Sequence, residues 1–241
     1  MKKLFLFAAV MFSSILFSAC SEDDNKESQT SQKLLKQIEE ISADKTIYYD
    51  FSYDDQQRLA KVIVDGDICY SNGDFTYTYT DNSVGVKFNS SCGDEYSYDA
   101  AFALDHNGYV TEFDINGKIN WRYECENGYV SKKQSTSVVS PLFWTYRWEN
   151  GNLMEQRNSY SNSTTYTYTD KPNKLNINLF DAKFGLGIFV HVGFLATNFK
   201  GSIPSNYPAS ADNSNIYYEY DDEGYPTQIV GPNANYILTY Y

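Results

Sequence analysis

Phe75-Thr76-Tyr77-Thr78-Tyr79-Thr80 is the stretch that decides the fold class of this 241-residue chain. Aromatic residues alternate with threonines along it, and Thr165-Tyr166-Thr167-Tyr168-Thr169 repeats the pattern. A period of two is typical of a strand with one buried face, and both residue types favour strands. From Thr46 onward most of the chain alternates in this way between turns rich in Asp, Asn and Gly. The sequence therefore predicts an all-β protein.

An internal repeat makes the predicted topology more specific. Each copy has an aromatic residue, any residue, a large apolar residue, an acid, a short turn and then an aliphatic residue. The copies begin at Phe51, Phe102, Tyr123, Tyr146 and Tyr218. The middle three start 21 and 23 residues apart, the length of two strands and two turns. We therefore expect an antiparallel β-meander that forms a curved or partly closed, barrel-like sheet.

The two terminal copies depart from this pattern. The first has Gln57 where a turn glycine is expected, and the last has Pro226 in place of the aliphatic residue. Because proline cannot donate to a strand ladder, Pro226 is expected at a sheet edge or at the start of a strand.

A short N-terminal helix is predicted over residues 31–41. Leu34, Ile38 and Ile41 fall on one helical stripe, and no other segment has as strong a helical pattern. The helix is expected to cover an open edge or end of the sheet.

One later segment also breaks the strand pattern. Residues 184–195 are too rich in glycine for a helix and too apolar for a loop, so we interpret them as an irregular apolar plug on the concave face. Two further buried strands are the alternative. A loop over residues 198–215, containing Pro204 and Pro208, is expected to follow.

The N-terminal residues predict a lipid anchor. A basic start and an apolar stretch too short to span a membrane precede Cys20, as at a bacterial lipoprotein processing site. We expect residues 1–19 to be a signal peptide and Cys20 to carry acyl chains such as palmitate. Residues 20–31 are then a flexible acidic tether, and residues 32–241 a single β-meander domain.

The chain without its leader is strongly acidic. Lys2 and Lys3 are lost with the leader, so 17 basic residues face 31 acidic ones, a net charge of about −14. Such a surface repels nucleic-acid phosphate and anionic lipid headgroups. We therefore expect no nucleic-acid partner, membrane contact through the lipid anchor only, and a monomer.

Three cysteines remain once Cys20 is assigned to lipid. Cys125 occupies the large-apolar position of its repeat, which Trp148 fills in the next copy, so we expect it to be a buried free thiol. Cys69 and Cys92 are then predicted to form a disulfide around two intervening strands. The alternative is that all three are small buried hydrophobic residues without a bond.

The leader, the hairpin unit Tyr218-Glu219-Tyr220-Asp221-Asp222-Glu223-Gly224 and the preceding Asn198-Phe199-Lys200-Gly201 resemble Bacteroidetes lipoproteins of unknown function that are described as having a porin-like antiparallel fold. The resemblance spans most of residues 40–241. The shared motifs consist of turn-forming residues, so the resemblance implies a fold and identifies no catalytic residues. The run Glu22-Asp23-Asp24 is similar to a signal in that phylum for display on the outer face of the outer membrane. The resemblance therefore implies an outer-membrane lipoprotein that faces the cell exterior.

Catalytic and metal motifs are scarce. His106 falls in a turn and His191 within the apolar segment, and no His-Glu-x-x-His, Gly-x-Ser-x-Gly or phosphate-loop pattern is present. The acidic runs 65–67 and 221–223 do not match the calcium-loop spacing, and most acids lie in turns. A glycosidase that uses two carboxylates remains an alternative. We expect no enzyme activity, no metal and no cofactor.

The aromatic residues give a sharper hypothesis. Trp121, Trp144 and Tyr146 lie close together in sequence, and aromatic faces stack on the apolar C–H surface of sugar rings. They are our candidate ligand-binding residues. The alternative is core packing, because Trp144 and Tyr146 share the parity of Trp148, which lies in the inward position of the repeat.

These observations predict a lipid-anchored cell-surface lipoprotein that acts as a non-catalytic binding or scaffold module. Its partner is an envelope protein or an extracellular ligand, and a glycan captured as a nutrient is the alternative. A transmembrane barrel fits less well, because the strands look shorter than the required ~9 to 11 residues and no continuous apolar outer band appears.

Overall fold

The structure is a computed structural model that describes residues 32–66, 72–138, 142–175 and 201–241. Within these ranges no helix is long and apolar enough to cross a membrane. The strands of the first half are β1 (Leu35–Ile41), β2 (Thr46–Tyr53), β3 (Leu59–Asp65), β4 (Gly73–Tyr79), β5 (Ser83–Ser90), β6 (Tyr98–Leu104), β7 (Val110–Ile115), β8 (Lys118–Glu126) and β9 (Tyr129–Ser135). Those of the second half are β10 (Phe143–Glu149), β11 (Asn152–Asn158), β12 (Ser163–Pro172), β13 (Asn206–Ala211), β14 (Ser214–Asn215), β15 (Tyr217–Tyr220), β16 (Pro226–Val230) and β17 (Asn235–Tyr240). One 3-10 turn, Asp94–Tyr96, lies between β5 and β6.

The strands form one antiparallel sheet that returns to its own start. Consecutive strands pair except β14 with β15, and β1 pairs with both β2 and β17, so the described strands form one nearly closed barrel. β14 and β15 follow the course of one strand interrupted at Ile216, whose N–H donates to the carbonyl of Ala209 at 2.9 Å. Large apolar side chains, such as Phe51 and Phe102, alternate inward and form the core. The predicted all-β antiparallel meander is confirmed.

The ladder between β11 and β12 is short, because only Glu155–Arg157 pairs with Ser163–Thr165. Beyond it the hydroxyl of Tyr168 donates to the carbonyl of Leu153 at 2.7 Å. The side chain of Asn152 is bonded to that of Asn206 in β13 at 3.0 Å, and the N–H of Ser205 donates to the carbonyl of Gly151 at 2.9 Å. Side-chain and backbone hydrogen bonds therefore connect this part of the barrel where the ladder stops.

The predicted N-terminal helix is wrong, because residues 35–41 form strand β1. Leu35 and Ile38 are both buried, at 1% and 0% exposure, although residues three apart normally face opposite sides of a strand. The pairing with β17 shifts register between Leu35 and Gln37, so a bulge turns both side chains inward. That bulge produces a helix-like spacing in a strand that is paired on both edges.

The C-terminal part of the chain also differs from its prediction. The predicted plug at residues 184–195 lies outside the described residues. The loop expected over 198–215 instead contains β13 and β14. Pro208 sits in β13 opposite Tyr168, next to a register shift, where a residue without an N–H is tolerated.

The internal repeat is confirmed as strand, turn and strand, and each copy also contains a bulge. In every copy the large apolar residue pairs with the aliphatic residue after the turn, as Trp148 pairs with Leu153. The residue after the aliphatic one is unpaired, so the register shifts. Pro226 begins β16, as predicted from its missing N–H.

The inward side chains near these bulges often have a hydrogen-bond donor. Carbonyl groups beside a bulge lose ladder partners, and a donor from the adjacent strand takes their place. The hydroxyl of Tyr79 donates to Leu59 at 2.8 Å, and the indole of Trp148 to Val130 at 2.8 Å. Burial is the main reason that the pKa of Tyr79 rises to about 12, so its hydroxyl stays protonated. Donors on inward side chains therefore satisfy these carbonyl groups, both from the repeat position, as at Trp148, and from other inward positions, as at Tyr79.

The three aspartates among the repeat acids stabilise their own turns. Oδ1 of Asp105 accepts the backbone N–H groups of Asn107 at 2.8 Å and Tyr109 at 2.9 Å. Asp54 and Asp221 accept the equivalent two N–H groups. The hydrogen bond from Tyr109 is the main reason that the pKa of Asp105 lies below its usual value. These carboxylates serve the turns, as predicted.

Gln57→Gly is expected to stabilise the protein by about 0.5–1 kcal/mol. Gln57 has φ +59°, whereas Gly224 at the equivalent turn position has φ +82°. A side chain in this left-handed region is strained, and glycine removes the strain. Urea denaturation of the two proteins measures the difference. Gly224→Ala is the matched control and should lose stability by a similar amount, and an unchanged or lower stability of Gln57→Gly contradicts the prediction.

Candidate functional site

Trp121 and Trp144 lie in contact on the inner face of the barrel. Their ring centroids are 5.1 Å apart, and the rings are inclined at 67°. Trp121 belongs to β8 and Trp144 to β10, and β9 lies between these two strands. The register places Lys133 of β9 opposite both Tyr123 of β8 and Trp144. The fold therefore brings together two of the three predicted binding residues.

Lys133 lies among these rings. Its Nζ is 4.5 Å from the ring centroid of Trp121 and 5.8 Å from those of Tyr123 and Trp144. Each cation–π contact of this kind contributes about 0.5–1 kcal/mol, and more where water is excluded. The ammonium group thus holds three aromatic rings in defined orientations.

Tyr146, the third predicted residue, lies two residues after Trp144 on the same face of β10. It packs against the core, and its pairing partner in the neighbouring strand β11 is Gln156. We call Trp121, Tyr123, Lys133, Trp144 and Tyr146 the aromatic cluster. All five side chains are half-buried.

Trp148 differs from Trp144 although it faces the same side of β10. Its ring stacks on Tyr129 with centroids 4.9 Å apart, and its indole N–H is bonded to Val130. It also packs against the core cluster. Trp148 therefore has a structural role, as predicted from its position in the repeat.

The start of the domain is fixed at one end of the barrel. Nζ of Lys33 lies 2.8 Å from Oδ2 of Asp221 and 2.9 Å from Oε1 of Glu223, in the turn between β15 and β16. The Lys33 N–H also donates to the hydroxyl of Tyr225 at 3.1 Å. Hydrogen bonds with Asp221 and Glu223 are the main reason that the pKa of Lys33 lies above its usual value. We call this end of the barrel the N-terminal end.

The aromatic cluster lies toward the opposite end. β8 and β10 both run toward the N-terminal end, where they finish in the turns at 127–128 and 150–151. Trp144 is the second residue of β10. At a strand rise of about 3.3 Å per residue it is roughly 20 Å from the N-terminal turn. The rings are therefore near the mouth that faces away from residue 32.

The cysteines agree in part with the sequence interpretation. Cys92 is disulfide-bonded, whereas Cys125 is a free, half-buried thiol whose pKa is raised mainly by burial. Cys69 and Cys20 lie outside the described residues. The Cys69–Cys92 pairing and the lipidation of Cys20 therefore stay predictions.

The other candidates have ordinary surroundings where the structure describes them. His106 lies in the turn between β6 and β7, and His191 lies outside the described residues. The carboxylate of Asp221 binds Lys33 and the backbone of its own turn. In the described parts of the chain, no three His, Cys, Asp or Glu side chains are grouped closely enough to hold a metal.

Glu40 is a carboxylate on the inner face of β1. The hydroxyl of Tyr49 donates to its Oε2 at 2.8 Å. Burial raises the pKa of Glu40, and the Tyr49 hydrogen bond offsets only part of that effect. A raised pKa in the folded state means that the protonated form is the better tolerated one.

Glu40→Gln is therefore expected to raise the melting temperature at pH 7 by roughly 1–3 °C. Because the folded-state pKa is raised, the stability that Glu40 contributes is fully present below its unfolded-state pKa and is lost as pH rises through its folded-state pKa. The advantage of the variant should disappear below about pH 4. Thermal melts from pH 3.5 to 8 measure this. A difference in melting temperature that stays constant across that range would show that the charge of Glu40 does not cause the stabilisation.

Three residues at this site were not predicted: Tyr123, Lys133 and Gln156. Their inward direction depends on bulges at Ser131 and Met154, which reverse the parity of β9 and β11. The inward direction of Tyr123 could have been predicted, because Tyr123 begins a copy of the repeat and precedes the inward Cys125 by two residues. The sequences around Lys133 and Gln156 contain no comparable signal.

Comparison with known proteins supports the fold. The chain is similar to a porin-like protein from Bacteroides uniformis ATCC 8492, with a TM-score of 0.60 and 14% identity over 86% of this chain and 98% of that one. It is also similar to a porin-like protein from Bacteroides vulgatus ATCC 8482, with a TM-score of 0.57 and 14% identity over 87% and 99% of the two chains. No protein-family model and no curated protein matches the sequence. At this identity the chain shares a barrel fold with porin-like proteins of Bacteroides.

Proposed function

We propose that this chain is a lipid-anchored protein of the outer membrane, displayed toward the cell exterior, whose barrel is a non-catalytic binding module. The aromatic cluster near the mouth away from residue 32 is the observation that carries the proposal. The predicted processing site at Cys20 supports the anchor, and the porin-like fold agrees with an envelope location.

The position of Lys33 supports the orientation. A tether of residues 20–31 would leave the barrel at the N-terminal end, which Lys33 fixes to the turn between β15 and β16. The proposed anchor would therefore join the domain at the end opposite the mouth with the aromatic cluster.

The outer face of the strands favours a barrel that stands in water over one that spans the bilayer. Charged pairs cross neighbouring strands on this face, including Arg122 with Glu112 at 3.2 Å and Lys132 with Glu124 at 2.8 Å. A charged side chain on the lipid face costs roughly 2–4 kcal/mol at the midplane of a bilayer. A lipid anchor supplies the membrane contact without this cost.

A carbohydrate is the ligand that suits the aromatic cluster best. Sugar rings have apolar C–H faces and hydroxyl edges, and tryptophan faces cover the apolar part with little loss of side-chain entropy. Trp144 supports this proposal in particular, because it contacts Trp121 and lies outside the group of residues packed on the core. The protein would then capture a glycan as a nutrient.

The positions of the acids support binding over hydrolysis. Glycosidases need two carboxyl groups about 5 to 10 Å apart across a cleft. Asp54, Asp105 and Asp221 cap their own turns. Glu112, Glu124 and Glu155 form ion pairs on the outer face. Glu40, an inward carboxylate of β1, is bonded to Tyr49.

Mass spectrometry of the protein from its native membrane tests the anchor. We expect a chain that begins at Cys20 with a diacylglyceryl thioether and an acylated amine. Cys20→Ser should move the protein to the soluble fraction, and protease added to intact cells should cleave the wild type. An intact Met1, or an unmodified thiol at residue 20, would contradict the proposed anchor.

A glycan array probed with the full-length protein in detergent tests the binding function. We expect selective binding to neutral oligosaccharides. Binding to none of the glycans would contradict the carbohydrate proposal and leave an envelope protein as the partner, to be identified by cross-linking on intact cells.

A further inference from the structure

Gln156 is a buried amide whose carbonyl has no hydrogen-bond partner among the described residues. It is 6% exposed, and Ser210, at 8%, is the other buried polar side chain in the same ranges. The hydroxyl of Ser210 is bonded to that of Thr167 at 2.6 Å. Oε1 of Gln156 has no such partner there.

An unpaired acceptor at a buried position is costly to the fold. Burying a polar group without a hydrogen bond loses the bonds that water made to the unfolded chain. An apolar side chain of the same length, such as methionine, fills the volume without that loss. Packing alone therefore does not account for a glutamine at this position, and a bound donor would satisfy its Oε1.

Gln156 adjoins the aromatic cluster. It lies directly opposite Tyr146 across β10 and β11, and diagonal to Trp144. In an antiparallel pair such neighbours have Cβ atoms about 5 Å and about 7–8 Å apart, respectively. Both neighbours belong to the aromatic cluster, so Gln156 borders the surface on which a ring stacked on Trp144 would lie.

We infer that Gln156 selects the ligand, by accepting a hydrogen bond from a hydroxyl group on the edge of a neutral sugar ring whose face stacks on Trp144. This inference rests on the proposed carbohydrate-binding function. A carbonyl oxygen needs a donor, so a hydroxyl satisfies it and a ligand carboxylate or phosphate at the same point is repelled. The aromatic cluster supplies the apolar contact, and Gln156 supplies the polar one.

A site that hydrogen-bonds a hydroxyl discriminates strongly against an analogue that lacks it, because the protein group then stays unpaired. Gln156→Leu and Gln156→Met both remove the acceptor while retaining an apolar side chain of similar volume. Each is expected to weaken binding of a neutral hexasaccharide at least tenfold. Each should also raise the melting temperature of the unliganded protein by roughly 2–4 °C, because an unpaired polar group has been removed.

The experiment is isothermal titration of full-length wild type and both variants with cellohexaose, maltohexaose and mannohexaose, and thermal melts without sugar. Wild-type binding with a tenfold or greater loss in both variants supports the inference. Wild-type binding with equal affinity in a folded variant overturns the role of Gln156 and leaves the binding function intact. Binding of no sugar by the wild type contradicts the proposed function itself. A lower melting temperature in both variants overturns the inference, since it shows that the amide is paired within the fold.

Discussion

Replacing Trp144 by alanine is expected to weaken oligosaccharide binding at least tenfold while the free energy of unfolding falls by about 1–2 kcal/mol. The ring contacts Trp121 and Lys133 and, within the described residues, is outside the group packed on the core cluster, so the loss of stability comes from these two ring contacts. A stacked aromatic face is in contrast the kind of residue that dominates binding energy. Isothermal titration gives the affinity, and urea denaturation gives the stability.

Two residues of the same strand provide the controls. Phe143 precedes Trp144, faces the outside and is 39% exposed, so Phe143→Ala should leave affinity unchanged. Trp148 stacks on Tyr129 and is bonded to Val130, so Trp148→Phe should reduce stability more than Trp144→Ala does. Equal binding by Trp144→Ala and wild type would remove the aromatic cluster as the binding site.

Gly201→Ala is expected to destabilise the fold by about 3 kcal/mol or more. A Cβ atom at residue 201 would lie 2.6 Å from the Cα of Tyr129, and closer still to the carbonyl oxygen of Gly128. The backbone has φ +76° there, and the Gly201 carbonyl accepts the N–H of Val130 at 3.1 Å. The clash is with backbone, so the chain must move away from the turn between β8 and β9.

Gly117→Ala separates the clash from the backbone strain. Gly117 has φ +74°, and a Cβ atom added to it would have no neighbouring atom within 4 Å. Gly117→Ala should therefore lower the free energy of unfolding only by the cost of a side chain in the left-handed region, about 1 kcal/mol. Urea denaturation of both variants measures the difference. Similar losses in the two would show that Gly201 does not approach the β8–β9 turn as closely as the structure has it.

Much of the barrel follows from local sequence, which is why the repeat predicts it. Alternation in segments such as 75–80 sets strands with one apolar face, and Asn127-Gly128 and Asn150-Gly151 favour two-residue hairpin turns. Each copy can be recognised alone because its turn bonds stay within a few residues. Asp105 illustrates this, since both N–H groups that it accepts lie within four residues.

The sequence predictions fail where the inward or outward direction of a side chain depends on strand partners that are far away in the chain. The bulge near Lys36 makes β1 look helical, and its identity as a strand depends on β17, about 200 residues away in the chain. The aromatic cluster is a mixed case. Trp121, Trp144 and Tyr146 stand out by residue type, whereas Lys133 and Gln156 face inward because of bulges that the sequence does not mark.

The sequence by itself determined the strand and turn plan, because alternation and turn chemistry act over a few residues. It also contains the pattern that predicts a leader and a lipid anchor at Cys20, and the proposed location rests on that prediction. Only the tertiary structure decided that the meander returns to β1 and that Trp121 meets Trp144 across β9. Both depend on the register between strands, which a shift of one residue reverses.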